Sequence, residues 1–200
     1  MGGDGDGRAR GGGDRPRMRR LVLAVALVAA AGVGAASWVL SAEPEWYQRL
    51  RYPLRYEAIV IGHARNYDLS PTLLAAVIYT ESKFDASARS DAGAVGLMQL
   101  LPETAKGIAI RTGGDHFVVD DLLDPEINVR YGSWYLRNLI DRYDDVRTAL
   151  AAYHAGQGNV DRWRRNGVGI QFPETRAYVA RVFDVERVYA AAYADELGAG

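Results

Sequence analysis

Residues 76–105 read AVIYTESKFDASARSDAGAVGLMQLLPETA, and the change of pattern inside this stretch decides the fold. Before Glu81 the chain is apolar on nearly every side from Leu73 to Tyr79. Ser70 stands where an N-cap is needed and Pro71 at the first turn, so a buried, central helix is expected here. After Glu81 the periodicity stops. SARSDAGAVG, with Gly93 and Gly96, reads as turns or a small hairpin, and PETAKGIAI restarts a short helix. Working outward, PLRYEAIVIGHARNY has helical spacing, and DPEINVRYGSWYLRNLIDRY is a long helix capped by Asp124. RTGGDHFVVDDLL between them is a loop. DDVRTALAAYHAG is a helix ended by Gly156, NVDRWRRNG starts another near Gly158, and FPETRAYVARVFDVERVYAAAY carries the last. Strand signals are weak throughout. The expectation is a mainly α fold with a small turn or hairpin region, one domain over residues 53–193, and a C-terminal tail over 194–200.

The N-terminal fifth is different. Residues 1–20 hold six arginines and three aspartates among glycines, with no periodicity, and read as a disordered basic tail on the cytoplasmic side. Residues 21–40 carry no charge. About 20 helical residues at ~1.5 Å each span a hydrocarbon core of ~30 Å. Arginines on the near side predict that the N-terminus stays inside and the rest is exported. A buried helix of a soluble protein would show a polar face, and none interrupts this run. The segment therefore reads as a transmembrane anchor. The small residues of VGA and GAA leave a cleaved signal, and a secreted domain, as the other possibility. Residues 41–52 read as a connector.

Composition excludes several chemistries. Net charge is −1 across 200 residues, which gives no reason to expect nucleic acid as a partner. There are no cysteines, hence no disulfide framework and no thiol nucleophile. His63, His116 and His154 are too scattered for a zinc site. The chain has no GxSxG elbow and no phosphate-binding loop, and its N-terminal glycines follow no strand. Neither a metal nor a cofactor is expected. The glycine pair of AGQGNV reads as a helix end.

Glu81 is the best candidate acid. It ends an apolar run and is flanked by Tyr79 and Phe84. Desolvation penalises the carboxylate and raises its pKa, so a glutamic acid can hold a proton at neutral pH and give it to a leaving oxygen. Spacing alone also allows a glutamate that merely ends a helix in solvent. A conventional glycosidase needs a second carboxylate, for which Asp85 and Asp91 are the nearby candidates. Both have local turn chemistry as an alternative role. With one carboxylate alone, an N-acetylated sugar can stabilise the transition state through its own acetamido oxygen.

Four blocks in order, ESKFDASARSDAGAVGLMQLLPETA, LLDPEINVRYGSWYL, ALAAYHAG and PETRAYVARV, make the chain resemble family 1 of the soluble-type lytic transglycosylases, whose SLT domain is lysozyme-like. The resemblance covers roughly residues 52–190. It implies an α+β lysozyme-like catalytic domain acting on bacterial peptidoglycan. It implies that Glu81 serves as acid and then base while the C6 hydroxyl of muramic acid attacks C1, leaving an anhydromuramoyl end. It further implies that Ser90, Met98, Gln99, Tyr153, His154, Glu174 and Tyr178 bind substrate. Tyr153 would sit close to the glutamate, Met98 and Gln99 would line the groove, and Glu174 and Tyr178 would complete it. The expected partners are glycan strands and, through the N-terminal helix, the membrane; the expected state is a monomer, with the domain on the extracytoplasmic side. A lysozyme-type hydrolase and a catalytically weak peptidoglycan-binding module are the alternatives on the same fold. In this family the third block reads A-Y-N-A-G, whereas this chain places His154 at the asparagine. Histidine titrates near neutrality, so the pH profiles of the native chain and His154→Asn should differ; superimposable profiles would remove the idea.

Overall fold

The structure, a computed structural model, describes residues 15–114 and 116–198. The chain divides into two compact units, Met1–Tyr47 and Gln48–Gly200. In the first, helix α1 (Arg15–Ala42) runs without interruption through the uncharged segment. Residues 1–14 of the expected tail lie outside the described residues, whereas residues 15–20 are helical rather than disordered. The span Arg17–Val39 is long and apolar enough to cross a membrane. Its large apolar side chains, among them Leu21, Leu27, Val28 and Trp38, are exposed.

The rest of the chain is a bundle of helices: α2 (Glu45–Arg51), α3 (Glu57–Asn66), α4 (Pro71–Ser82), α5 (Pro102–Thr112), α6 (Pro125–Tyr143), α7 (Val146–Ala155), α8 (Gln157–Arg165), α9 (Pro173–Ala192) and the short α10 (Ala194–Leu197). Two segments are more ordered than the sequence led us to expect. The connector holds α2, from which Arg49 pairs with Glu196 of α10 and lies over the Tyr193 ring. The expected C-terminal tail contains α10, whose Leu197 is buried. Within the expected loop 111–123, residues Val119–Leu123 form a 3-10 turn.

Capping follows the sequence closely. The Ser70 hydroxyl accepts from Leu73 N, and Asp124 accepts from Glu126 N and Ile127 N, each ahead of a proline at the first turn. Such caps stabilise a helix by about 1 kcal/mol each. Helix α4 is the centre of the bundle. Leu74, Ala75, Ala76, Val77 and Ile78 are wholly buried, and its most extensive packing is against α9. It ends abruptly because Lys83 and Phe84 both take left-handed backbone angles, φ 53° and 64°. That conformation is unfavourable for residues with a Cβ. It is offset here because it returns Phe84 to the core, edge-on to Tyr189.

The segment after α4 is the small hairpin region. Val95 bridges antiparallel to Arg89 on one side and to Leu100 on the other. A second, smaller apolar cluster of Val95, Leu100, Ala105, Ile108, Ala109, Leu122 and Tyr131 lies beneath it. Asn128 of α6 ties this segment down. Its buried amide accepts from Met98 N at 2.8 Å and donates to Val95 O at 2.9 Å and Leu122 O at 2.8 Å. Gly96 makes room for it: φ is +80°, and a Cβ there would collide with the Asn128 amide and the Leu122 carbonyl. Ser82, the last residue of α4, donates to Leu97 O at 2.8 Å. Removing a buried hydrogen-bond partner leaves the other group desolvated and unpaired. Asn128→Ala is therefore expected to destabilise the domain by about 2–4 kcal/mol, read as a drop in the denaturant midpoint.

Candidate active site

Glu81 sits in the last turn of α4, on the wall of a cavity of about 460 Å³. Four elements and a loop build that wall. The loop after α4 contributes Ser90, Ala92, Ala94, Gln99, Leu100 and Leu101; α5 contributes Thr104; α6 contributes Tyr135; the end of α7 contributes Tyr153, His154 and Ala155. Of the residues expected at a site, the cavity thus brings together Glu81, Ser90, Gln99, Tyr153 and His154.

Glu81 is the one carboxylate among the residues lining this cavity. Burial pushes its pKa from 4.5 up to about 7, against the opposing effect of a hydrogen bond from Tyr178. Its place at the negative end of the α4 dipole disfavours the anion as well. Tyr178 of α9 donates to Glu81 Oε1 at 2.7 Å. The buried Tyr178 phenol, beside Glu81, is held well above its usual pKa and so stays a donor.

The structure places the remaining expected residues as follows. Tyr153 is near Glu81 but bonds elsewhere: its hydroxyl donates to Met98 O at 2.7 Å, and its ring packs on Tyr135 with centroids 5.5 Å apart. Met98 does not line the groove. Its side chain is fully buried, packed so closely over Gly132 that a Cβ there would strike its thioether; what it presents towards the site is a carbonyl for Tyr153. Tyr178 lies behind Glu81 rather than in the wall. Glu174 is exposed in the first turn of α9 and is absent from the lining; its charge acts on His154.

Ser90 and Gln99 shape the loop that faces Glu81. Ser90 Oγ accepts from Ala94 N at 3.0 Å. Gln99, at φ 47°, donates through Nε2 to Ala88 O at 3.2 Å and Gly96 O at 3.0 Å. Two carbonyl partners fix the amide's orientation and leave its Oε1 as an acceptor. His154 bonds through Nδ1 to Thr175 Oγ1 at 3.1 Å and lies on the Tyr178 ring, centroids 4.5 Å apart. Burial pushes its pKa below 6.5, with Glu174 opposing, so this imidazole is neutral at pH 7.

Neither alternative carboxylate reaches the cavity. Asp85 is exposed and closes a turn, accepting from Ser87 N at 2.8 Å and Ser87 Oγ at 2.7 Å, bonds that lower its pKa. Asp91 is exposed and outside the lining. Sequence reasoning overlooked Ser82, Asn128, Tyr135 and Thr175. Asn128 had a readable signal, an amide between Ile127 and Val129 in an otherwise amphipathic helix. Thr175, fully buried, had none, because it resembles an ordinary first-turn residue.

A family model described as the Transglycosylase SLT domain matches residues 58–169. The soluble lytic murein transglycosylase of Salmonella typhimurium is 33% identical over 151 residues, covering 70% of this chain and 23% of that protein. The membrane-bound lytic murein transglycosylase F of Desulfosudis oleivorans is 37% identical over 125 residues, covering 58% and 25%. Among solved structures, an inactive mutant of the lytic transglycosylase Slt from Pseudomonas aeruginosa superposes with a TM-score of 0.68 at 32% identity, over 76% of this chain and 26% of that one. The chain thus spans about a quarter of the length of these curated relatives.

The raised pKa of Glu81 has a stability consequence. The folded state holds this proton up to about pH 7, the unfolded state only to about 4.5. Between those values the folded state binds more protons, so the group's contribution is fully present below pH 4.5 and is lost as pH rises through 7. Glu81→Gln removes the dependence. The variant should match the native chain in stability near pH 4 and exceed it at pH 8 by about 1–3 kcal/mol, as measured by parallel thermal melts across that range.

Proposed function

The chain belongs to the Transglycosylase SLT domain family, and from that membership and the geometry above we propose that it is a peptidoglycan lytic transglycosylase in which Glu81 is the single acid and base. The observation that carries the reading is a protonatable glutamate, held by Tyr178, as the only carboxylate in a cavity otherwise walled by hydroxyl, amide and aromatic groups. Protonated Glu81 gives its proton to the oxygen linking C1 of N-acetylmuramic acid to the next N-acetylglucosamine, and the C1–O bond breaks. The acetamido group of the same sugar holds the positive charge that develops at C1. The Glu81 carboxylate then takes the proton of the C6 hydroxyl as that oxygen bonds to C1. The proton count on Glu81 is restored, no water is consumed, and the new chain end is anhydromuramoyl. Absence of a second carboxylate from the lining supports this sequence over an inverting hydrolysis, which needs a base for water on the far face of the sugar.

Ser90, Gln99 and His154 line the cavity where they can meet the substrate's hydroxyl and acetamido groups. Met98, Tyr153 and Tyr178 support that wall and the acid from behind. The apolar helix α1 fits a membrane anchor, with the domain over residues 53–193 held on the extracytoplasmic side where the glycan strands lie. Anchoring raises the local concentration of domain at the wall without any extra binding module.

Purified sacculi incubated with the native chain should release muropeptides one water lighter than hydrolysis products. Glu81→Gln should lower that release about 10²- to 10⁴-fold. Ordinary reducing ends would assign the chain as a hydrolase, and retention on sacculi without release would make it a binding module. With Glu81 titrating at about 7, and the protonated form required, kcat/KM should fall above that pH; a profile flat to pH 9 would contradict the assignment of Glu81 as the acid.

A further inference from the structure

His154 occupies a position that a substrate contact alone does not explain. It is in the last turn of α7, yet its side-chain hydrogen bond and its ring contact both go to α9. Nδ1 bonds to Thr175 Oγ1 at 3.1 Å, and the ring face lies on Tyr178 at 4.5 Å with a tilt of 34°. Thr175 and Tyr178 are three residues apart and so share one face of α9. Thr175 is fully buried, so its hydroxyl seats the imidazole at a fixed point. The seated imidazole then covers one face of the Tyr178 ring. The Tyr178 hydroxyl, at the far end of that ring, donates to Glu81 Oε1. A tyrosine ring has two rotatable bonds, and a plane closed on one face by another ring loses most of that freedom.

We propose that His154 is a positioning residue: seated on Thr175, it holds the Tyr178 ring in the plane that keeps the phenol on Glu81. It acts on the acid through Tyr178 and not by contact with Glu81. The form that does this is the uncharged imidazole. A cation stacked on Tyr178 would favour the Glu81 carboxylate and remove the proton needed for catalysis. The charged and titratable groups that face the imidazole are Glu174 and Tyr178 on α9; Glu81 on α4 and Tyr153 on its own helix line the same cavity. Glu174 favours protonation, and burial opposes it more strongly. The inference rests on the proposed role of Glu81 as the acid, and it adds the element that holds this acid's hydrogen bond in place.

The test is a double-mutant cycle read on Glu81 itself. The carboxyl carbons of the full chain are labelled with ¹³C in detergent micelles, and the Glu81 resonance is identified by its loss in Glu81→Gln. Tyr178→Phe removes a bond that lowers the Glu81 pKa, so the midpoint rises. His154→Ala should raise it in the same direction, by ~0.5 pH unit or more, and should cause no further shift in the Tyr178→Phe background. A His154→Ala shift of equal size in both backgrounds would overturn the inference, as would no shift in the native background. If His154→Ala does not fold, Thr175→Val, which takes away only the imidazole's hydrogen-bond partner, goes through the same cycle with the same expectation and the same overturning result. Because the midpoint is read without substrate, the two proposals separate. A failed cycle with normal anhydro product overturns the positioning role alone, and an intact cycle with no product from sacculi overturns the proposed function alone.

Discussion

The chemistry proposed for this site depends on keeping one carboxylic acid protonated near neutrality, and the packing of α4 against α9 buries that group and brings Tyr178 to it. Helix α4 is buried from Thr72 to Ile78 and delivers Glu81 near its end, where the carboxyl is largely desolvated yet faces a cavity. Desolvation sets the acid's pKa; Tyr178, reaching from α9, sets its orientation and moderates the shift. The two effects oppose each other in energy and cooperate in geometry. A carboxyl with no partner would be costlier to bury and freer to rotate, whereas one with several donors would ionise too readily.

The opposite wall is held by a different principle. The loop between α4 and α5 has little regular structure, and side chains add to the backbone bonds of its turns and bridges: Asn128 on Met98 and Val95, Ser82 on Leu97, Tyr153 on Met98, Gln99 on Ala88 and Gly96. Side chains from α4, α6 and α7 thus converge on the backbone of residues 95–98, where the GLMQ segment passes. A wall built this way is preorganised for substrate, because no loop has to close for the cavity to exist. Of the left-handed residues Lys83, Phe84 and Gln99, the last stands in the cavity wall itself, where the surrounding packing holds it.

Particular residues show how far the sequence could be read. Ser70, Asp124 and Gly156 marked helix ends correctly, because a cap depends on neighbours two or three positions away. Glu81 was legible as a candidate because the ten residues before it are nearly all apolar, but spacing alone allowed a helix end in solvent equally well; its burial and its partner Tyr178 came from the fold. Met98 was misplaced into the groove wall, since nothing local tells a core methionine from one in a cleft; Gly132, across the bundle on α6, decides it. Arg49 and Leu197 were assigned to a connector and a tail, and each is held by partners remote in sequence.

The positions of the main helices, the apolar span of α1 and the turn-rich loop were therefore legible in the sequence alone, since each follows from spacing and hydropathy within a dozen residues. Which tyrosine serves the acid was decided only by tertiary structure. The sequence reading put Tyr153 close to the glutamate, and the geometry gives the hydrogen bond on Glu81 to Tyr178, 97 residues away. It sends Tyr153 to a carbonyl instead. The reason is physical: a hydrogen bond tolerates only a few tenths of an ångström, and distances between helices at that precision are fixed by how the whole core packs.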